Sequence, residues 1–138
     1  MVIREYKDYH EPEILNLYNA VGWTAYTEDP AALRRGYEHS LLVLAAWEGE
    51  NLLGIIRAVG DGVTIVFIQD ILVSPAHQRK GVGSALLQAV LDRYTGVRQI
   101  ELVTDNTERT VAFYQSLGFR ELAGIGCCGF MKFGGHHG

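Results

Sequence analysis

The chain has 138 residues, 48% of them hydrophobic and 20% charged, with a formal net charge of −4 at pH 7. That size fits one domain over residues 1–138 with an ordinary apolar core, and the composition argues against bulk disorder. The acidic balance argues against nucleic-acid or membrane-surface binding driven by overall charge, and no apolar run reaches the ~20 residues needed to span a bilayer.

The first residues, Met1-Val2-Ile3-Arg4-Glu5-Tyr6, lack the basic and then apolar segments of a secretory signal. The two cysteines, Cys127 and Cys128, are adjacent and fit neither a disulfide framework nor a zinc spacing. A cytoplasmic enzyme or binding module that holds no metal is the expected class.

Val2 to Tyr6 reads as a first strand. After Glu11-Pro12, the residues Ile14, Leu17, Tyr18 and Val21 form a helical stripe, with Pro12 suited to the start and Gly22 to the end. Trp23 and Tyr26 follow in a loop with no clear period. A second helix is expected from about Pro30 to Glu38, with Asp29 as its N-cap and Leu33 and Tyr37 facing inward. Leu41–Trp47, Leu52–Val59 and Val63–Val73 are apolar, β-branched runs separated by Gly49-Glu50-Asn51 and Gly60-Asp61-Gly62. They read as an antiparallel meander.

Gly81 to about Tyr94 is a helix and Gln99–Val103 a strand. This crossover makes its two strands parallel. Thr107–Leu117 is a further helix, ended by Gly118. Phe119–Leu122 and about Cys127–Phe133 are expected as two last strands, and residues 134–138 as a frayed tail. The expected architecture is α/β (α+β), with about four helices on a mixed, mostly antiparallel sheet of about seven strands. The last strand is available for pairing in a homodimer.

The chain is organised around Asp70 to Leu87. An apolar strand leads into a short loop, two cations and the glycine-punctuated start of a helix. The first N–H groups of a helix lack intrahelical partners and carry partial positive charge. Glycine lets a ligand approach the backbone, so this is the chemistry of a phosphate cradle. A dinucleotide fingerprint would need a third glycine where Leu86 stands, and the G-x-x-x-x-G-K-[ST] loop is absent. A glycine-rich helix start without a ligand remains open on these residues alone.

Gln78-Arg79-Lys80-Gly81-Val82-Gly83 resembles the [QR]-x-x-G-x-[GA] loop of the GNAT superfamily of N-acetyltransferases, following a strand that ends Ile71-Leu72-Val73-Ser74-Pro75. Val111-Ala112-Phe113-Tyr114-Gln115-Ser116-Leu117-Gly118-Phe119 resembles that family's second signature, F-Y-x-x-x-G-F. The resemblance covers nearly the whole chain and implies acetyl-coenzyme A as co-substrate. It implies a pyrophosphate held by the loop at Gln78, Arg79, Lys80, Gly81, Val82, Gly83 and Ser84. It implies a pantetheine arm beside Ile71, Leu72 and Val73, on a bulged central strand splayed from its parallel neighbour. A backbone amide around Leu72 would then polarise the thioester carbonyl.

Tyr114 is the candidate general acid toward the departing thiolate. Its spacing with Val111 and Leu117 equally fits a core stripe. Asp70 is the candidate general base. On an ideal strand it shares a face with Val66, Ile68 and Leu72, where an acid is unexpected without a role. The alternatives are a pair with Arg57, a backbone cap, or a water acting in its place. Asn106 lies one residue from where the family puts a pantetheine contact, so it either reaches the coenzyme or, like Thr107, caps the following helix. Trp23 and Tyr26, with Tyr37, fall in the region that lines the acceptor side in similar folds, and an aromatic cluster there suits a ring or a cationic amine. Asp29 and Glu28 could attract an amine or cap a helix. His136 and His137 read as a solvated pair.

The expected function is acetyl transfer from acetyl-coenzyme A to a primary amine by direct attack, with no metal, nucleic acid or membrane. A small-molecule amine is the favoured acceptor, with a protein or peptide as the alternative. The rival classes are a non-catalytic acetyl-coenzyme A sensor or partner-binding module, and a nucleotide-binding protein.

Overall fold

The computed structural model describes residues 1–134. Its elements in order are β1 (Val2–Glu5), α1 (Glu11–Ala20), α2 (Thr24–Thr27), α3 (Pro30–Glu38), β2 (Leu42–Glu48), β3 (Asn51–Gly60), β4 (Ile65–Val73), α4 (Val82–Arg93), β5 (Gln99–Leu102) and α5 (Glu108–Ser116). Single 3-10 turns occupy Pro75–His77 and Leu122–Ile125. The chain forms two compact units, one of residues 1–103 and one from Thr104 onward. No helix among the described residues is long and apolar enough to cross a membrane.

The first unit is a sheet of spatial order β1-β2-β3-β4-β5, antiparallel through β4 and parallel between β4 and β5. The local signals act where they were expected. Asp29 caps α3, its carboxylate accepting from the Ala32 N–H at 3.1 Å. Asp61 orders the β3–β4 turn, one oxygen accepting from the N–H groups of Val63, Thr64 and Ile65. These donors hold its carboxyl below the usual range, the Thr64 hydroxyl contributing most.

One sheet face carries α1 to α3, with Ile14, Leu17, Tyr18, Leu33 and Tyr37 buried against Val43, Ala45, Ile55 and Leu72. The other face carries α4, which buries Val82, Leu86, Leu87 and Val90. Gly54 is required at that contact. A Cβ there would stand 2.6 Å from the Leu72 carbonyl oxygen, with Val82 and Leu86 close behind.

Two expectations are corrected. Among the described residues the sheet has five strands rather than seven, because Phe119–Leu122 and Cys127–Phe133 form none. Local turns take their backbone donors instead: Phe119 N–H bonds to the Tyr114 carbonyl at 3.1 Å, and Cys127 N–H to that of Leu122 at 2.8 Å. A strand run without a ladder partner does not become a strand. Cys127 and Cys128 are therefore exposed and outside any strand. Among the described residues the helices number five rather than about four, since Thr24–Thr27 closes a single turn where no period was legible. His136, His137 and most of the expected frayed tail lie outside the described residues.

Candidate active site

The geometry of β4 is set by one extra residue. Arg57 on β3 pairs with Asp70, while the next residue, Ala58, pairs with Ile68, so Gln69 is bulged. A bulge shifts the two-residue alternation and re-aims the side chains beyond it. Cross-strand partners share a face. Val66 and Ile68 therefore lie on the α4 face, whereas Asp70 and Leu72 turn to the α1–α3 face. Asp70 does not share a face with Val66 and Ile68, as an ideal strand would have it.

The same bulge marks where β4 leaves its parallel neighbour. Pairing with β5 runs from Ile65 to Ile68 and ends there. From Gln69 to Val73 no strand pairs with β4 on that side among the described residues. Ser74 N–H donates to the Leu53 carbonyl at 2.8 Å. By antiparallel alternation, Leu72 turns its backbone polar groups to β3, and Ile71 and Val73 turn theirs to the open edge. The Gln78 side-chain amide reaches the Val73 carbonyl there at 3.1 Å. The free amides beside the expected thioester are those of Ile71 and Val73, rather than that of Leu72.

Asp70 is 2% exposed and lies at the centre of a polar cluster. One carboxylate oxygen accepts from Arg57 Nε at 2.8 Å and from the Tyr18 hydroxyl at 2.9 Å. The other accepts from the Tyr26 hydroxyl at 3.0 Å. The Tyr18 and Tyr37 hydroxyls are 2.9 Å apart. The Arg57 guanidinium lies 5.4 Å from the Tyr37 ring centroid and donates to Ser40 Oγ at 3.3 Å. Burial pushes the phenols of Tyr18, Tyr26 and Tyr37 above their ordinary range. Burial alone would lower Arg57, but the Asp70 carboxylate outweighs it and leaves the guanidinium pKa raised. The pairing with Arg57, one of the alternatives for Asp70, is what the geometry shows.

Tyr26 connects this cluster to the surface. Its ring stacks on Trp23, with centroids 6.1 Å apart and planes at 29°. Trp23 is 37% exposed. Two of the expected acceptor-side aromatics are thus brought together with Asp70 behind them. The third, Tyr37, is buried and belongs to the core. Periodicity along the sequence did not show that Tyr18 and Tyr37 join this network. The available signal was two inward tyrosines on helical stripes, whose hydroxyls need partners once buried.

The loop from Gln78 to Ser84 has the backbone of an anion cradle. Arg79 has φ +64°, the one non-glycine residue with positive φ among the described residues. Gly81 has φ +82° and ends the loop as the N-cap residue of α4. No side chain caps that helix among the described residues. The first bond back to the loop comes from Ala85 N–H to the Gly81 carbonyl. The N–H groups of Val82, Gly83 and Ser84 thus precede the helical ladder. A Cβ built on Gly81 would meet nothing within 4 Å, so the space over the loop is open. Left-handed residues beside a helix start gather backbone N–H groups into a concavity. Arg79 and Lys80, both exposed, add charge to it. This arrangement fits the pyrophosphate of a coenzyme.

In the second unit, α5 starts at Thr107, whose hydroxyl accepts from Thr110 N–H at 3.2 Å. Thr107 is therefore the cap, and Asn106 lies exposed just before it. Tyr114 is buried, with edge-on contacts to Phe113 and Phe119 at 5.0 and 5.9 Å. Burial raises the phenol pKa, opposed by the Thr104 side-chain hydrogen bond and reinforced by the nearby Asp105 charge. Tyr114 thus holds its proton at neutral pH. No group of three or more His, Cys, Asp or Glu residues able to hold a metal ion occurs among the described residues.

Comparison with known proteins bears on this geometry. Residues 4–119 match the acetyltransferase (GNAT) family. A GNAT-family acetyltransferase of Streptococcus pneumoniae superposes with a TM-score of 0.87 at 37% identity, covering 96% of this chain and 97% of that one. An uncharacterized N-acetyltransferase of Prochlorococcus marinus is 28% identical over 113 residues, 78% of this chain and 61% of its own. A chloroplastic serotonin N-acetyltransferase of Oryza sativa is 36% identical over 93 residues, 63% of this chain and 46% of its own. The chain spans about half the length of the curated relatives it matches.

Proposed function

The chain belongs to the GNAT acetyltransferase family, and on that premise we propose that it transfers an acetyl group from acetyl-coenzyme A to a primary amine by direct attack. Enzymes of this family use acetyl-coenzyme A as co-substrate. The observation that carries the reading is the pairing of an uncapped, left-handed loop at the start of α4 with a β4 edge left open from Gln69.

When bound, the coenzyme supplies an activated thioester. The chain contributes binding, orientation and proton handling. In this reading the N–H groups from Gln78 to Ser84 hold the pyrophosphate, helped by Arg79 and Lys80. Ile71 and Val73 receive the pantetheine arm along the open edge, and the family resemblance adds Asn106 to its contacts. A β4 amide, best that of Ile71, donates to the carbonyl oxygen as negative charge develops there. Tyr114 gives its proton to the departing sulfur.

The Asp70 carboxylate already accepts from Arg57, Tyr18 and Tyr26, so we assign it a positioning role rather than the expected role of base. It fixes the Tyr26 hydroxyl, and a water takes the amine proton. Trp23 and Tyr26 offer a stacked aromatic face to a small ring-bearing or cationic amine.

The test has two parts. Gly81→Val fills the open space over the loop and strains its left-handed backbone, and calorimetry should lose acetyl-coenzyme A binding while circular dichroism stays native. Retained binding would remove the cradle assignment. A coenzyme A release assay against a panel of amines then separates an enzyme from a sensor, since a sensor binds and never turns over.

A further inference from the structure

Two consecutive residues of β4 reach the same hydroxyl. Asp70 accepts from Tyr26 at 3.0 Å, and the Gln69 side-chain amide donates to the Tyr26 oxygen at 3.4 Å. Regular alternation would send neighbours on a strand to opposite faces. The bulge inserts Gln69 ahead of Asp70 and lets both meet Tyr26. A hydroxyl has one proton to give and two lone pairs, and an ionised carboxylate can only accept. Asp70 is held in its 2.8 Å pair with Arg57, so the proton of Tyr26 is spent inward. Gln69 takes one lone pair, and one is left.

Tyr26 is half-buried, while Gln69 is exposed and begins the stretch of β4 that pairs with no strand on its outer side among the described residues. To a molecule beside Gln69, the Tyr26 hydroxyl therefore offers only an acceptor. The charges acting on Tyr26 are Asp70 from β4 and Arg57 from β3, which offset each other as an ion pair. Tyr18 of α1, edge-on at 5.2 Å, adds no charge. An acceptor in neutral surroundings holds an N–H without favouring the ammonium form, as a lone carboxylate would. The neutral amine is the form that attacks a carbonyl, because only it has a free electron pair on nitrogen.

We propose that the Tyr26 oxygen binds the attacking nitrogen of the substrate amine through an N–H···O bond, and that Gln69 is the positioning residue that keeps a lone pair of that oxygen turned toward it. The inference rests on the acetyl transfer proposed above. Tyr26 keeps its own proton on Asp70 throughout, and the amine proton leaves to water. The Arg57–Asp70 pair thereby fixes the direction of the Tyr26 hydroxyl without placing a net charge beside the nucleophile.

Coenzyme A release by the full chain tests it, with benzylamine, spermidine, glucosamine and alanylglycine as amines. Gln69→Met should lower kcat/KM by about 5-fold for each amine that turns over, the worth of one neutral hydrogen bond. The KM for acetyl-coenzyme A should not move, and circular dichroism should stay native because Gln69 is exposed. Gln69→Glu puts a carboxylate beside the bound nitrogen and favours its ammonium form. The pH profile of kcat should then move up by about one unit, a change that a purely structural role would not produce. An unchanged kcat/KM in Gln69→Met would remove Gln69 from positioning. An unmoved profile in Gln69→Glu would place the amine away from Tyr26. Either result leaves the acetyl transfer standing, whereas a wild-type chain that releases no coenzyme A with any of the four amines would overturn the transfer and this role with it.

Discussion

Replacing Arg57 by Met tests the buried cluster directly. The Arg57–Asp70 pair has side chains only 8% and 1% exposed and a 2.8 Å contact. At an effective dielectric near 20, two unit charges at that distance attract by about 6 kcal/mol. Most of that is offset by the cost of taking both from water, so the pair itself adds little net stability. Removing one partner is different, because Asp70 would stay buried with two tyrosine donors and no countercharge. The expected loss is about 3–5 kcal/mol, a large part of the ~5–15 kcal/mol that a domain has. With an m-value of about 2 kcal/mol/M, the urea midpoint should fall by about 2 M. Adding Asp70→Asn should recover at least half of the loss, since the charge leaves with its partner. A midpoint shift under ~0.5 M, the worth of an exposed pair, would refute the reasoning. So would a double variant less stable than Arg57→Met alone.

The tyrosines give two further expected outcomes. Tyr114→Phe should lower kcat by about 100-fold or more while leaving coenzyme affinity unchanged, as loss of a general acid does; an unchanged kcat removes Tyr114 from the chemistry. Stability should fall above pH ~10, where tyrosines of the unfolded chain ionise. Tyr18, Tyr26, Tyr37 and Tyr114 have raised pKa values in the folded state. They keep their protons there, so the unfolded state binds fewer and the slope of stability with pH is negative. The stability is fully present below pH ~10 and is lost as pH rises toward the folded values. Urea midpoints at pH 8 and at about 10.5 check this, and equal values would show that these phenols ionise alike in both states.

Much of the frame was legible because its signals are local. Asp29, Asp61, Thr107, Gly22 and Gly118 set caps and turns through neighbours a few residues away. The stripes of α1, α3 and α4 come from helical periodicity alone. The glycine-punctuated start of α4 was legible as well, since glycines and cations at a helix start need only their own backbone. The last two expected strands failed for the opposite reason. A strand exists only with a partner, and composition does not supply one.

Sequence by itself determined the element order through α5 apart from the short α2, the glycine-punctuated start of α4, and the candidates Asp70 and Tyr114. Tertiary structure decided what Asp70 is. The bulge at Gln69 is a property of pairing between β3 and β4, invisible in either strand alone. That one extra residue turned Asp70 onto Arg57, Tyr18 and Tyr26. At the same point β4 leaves β5, and the amides of Ile71 and Val73 face the open edge. Alternation along a strand is local, but the register that decides which face it means is set by the partner.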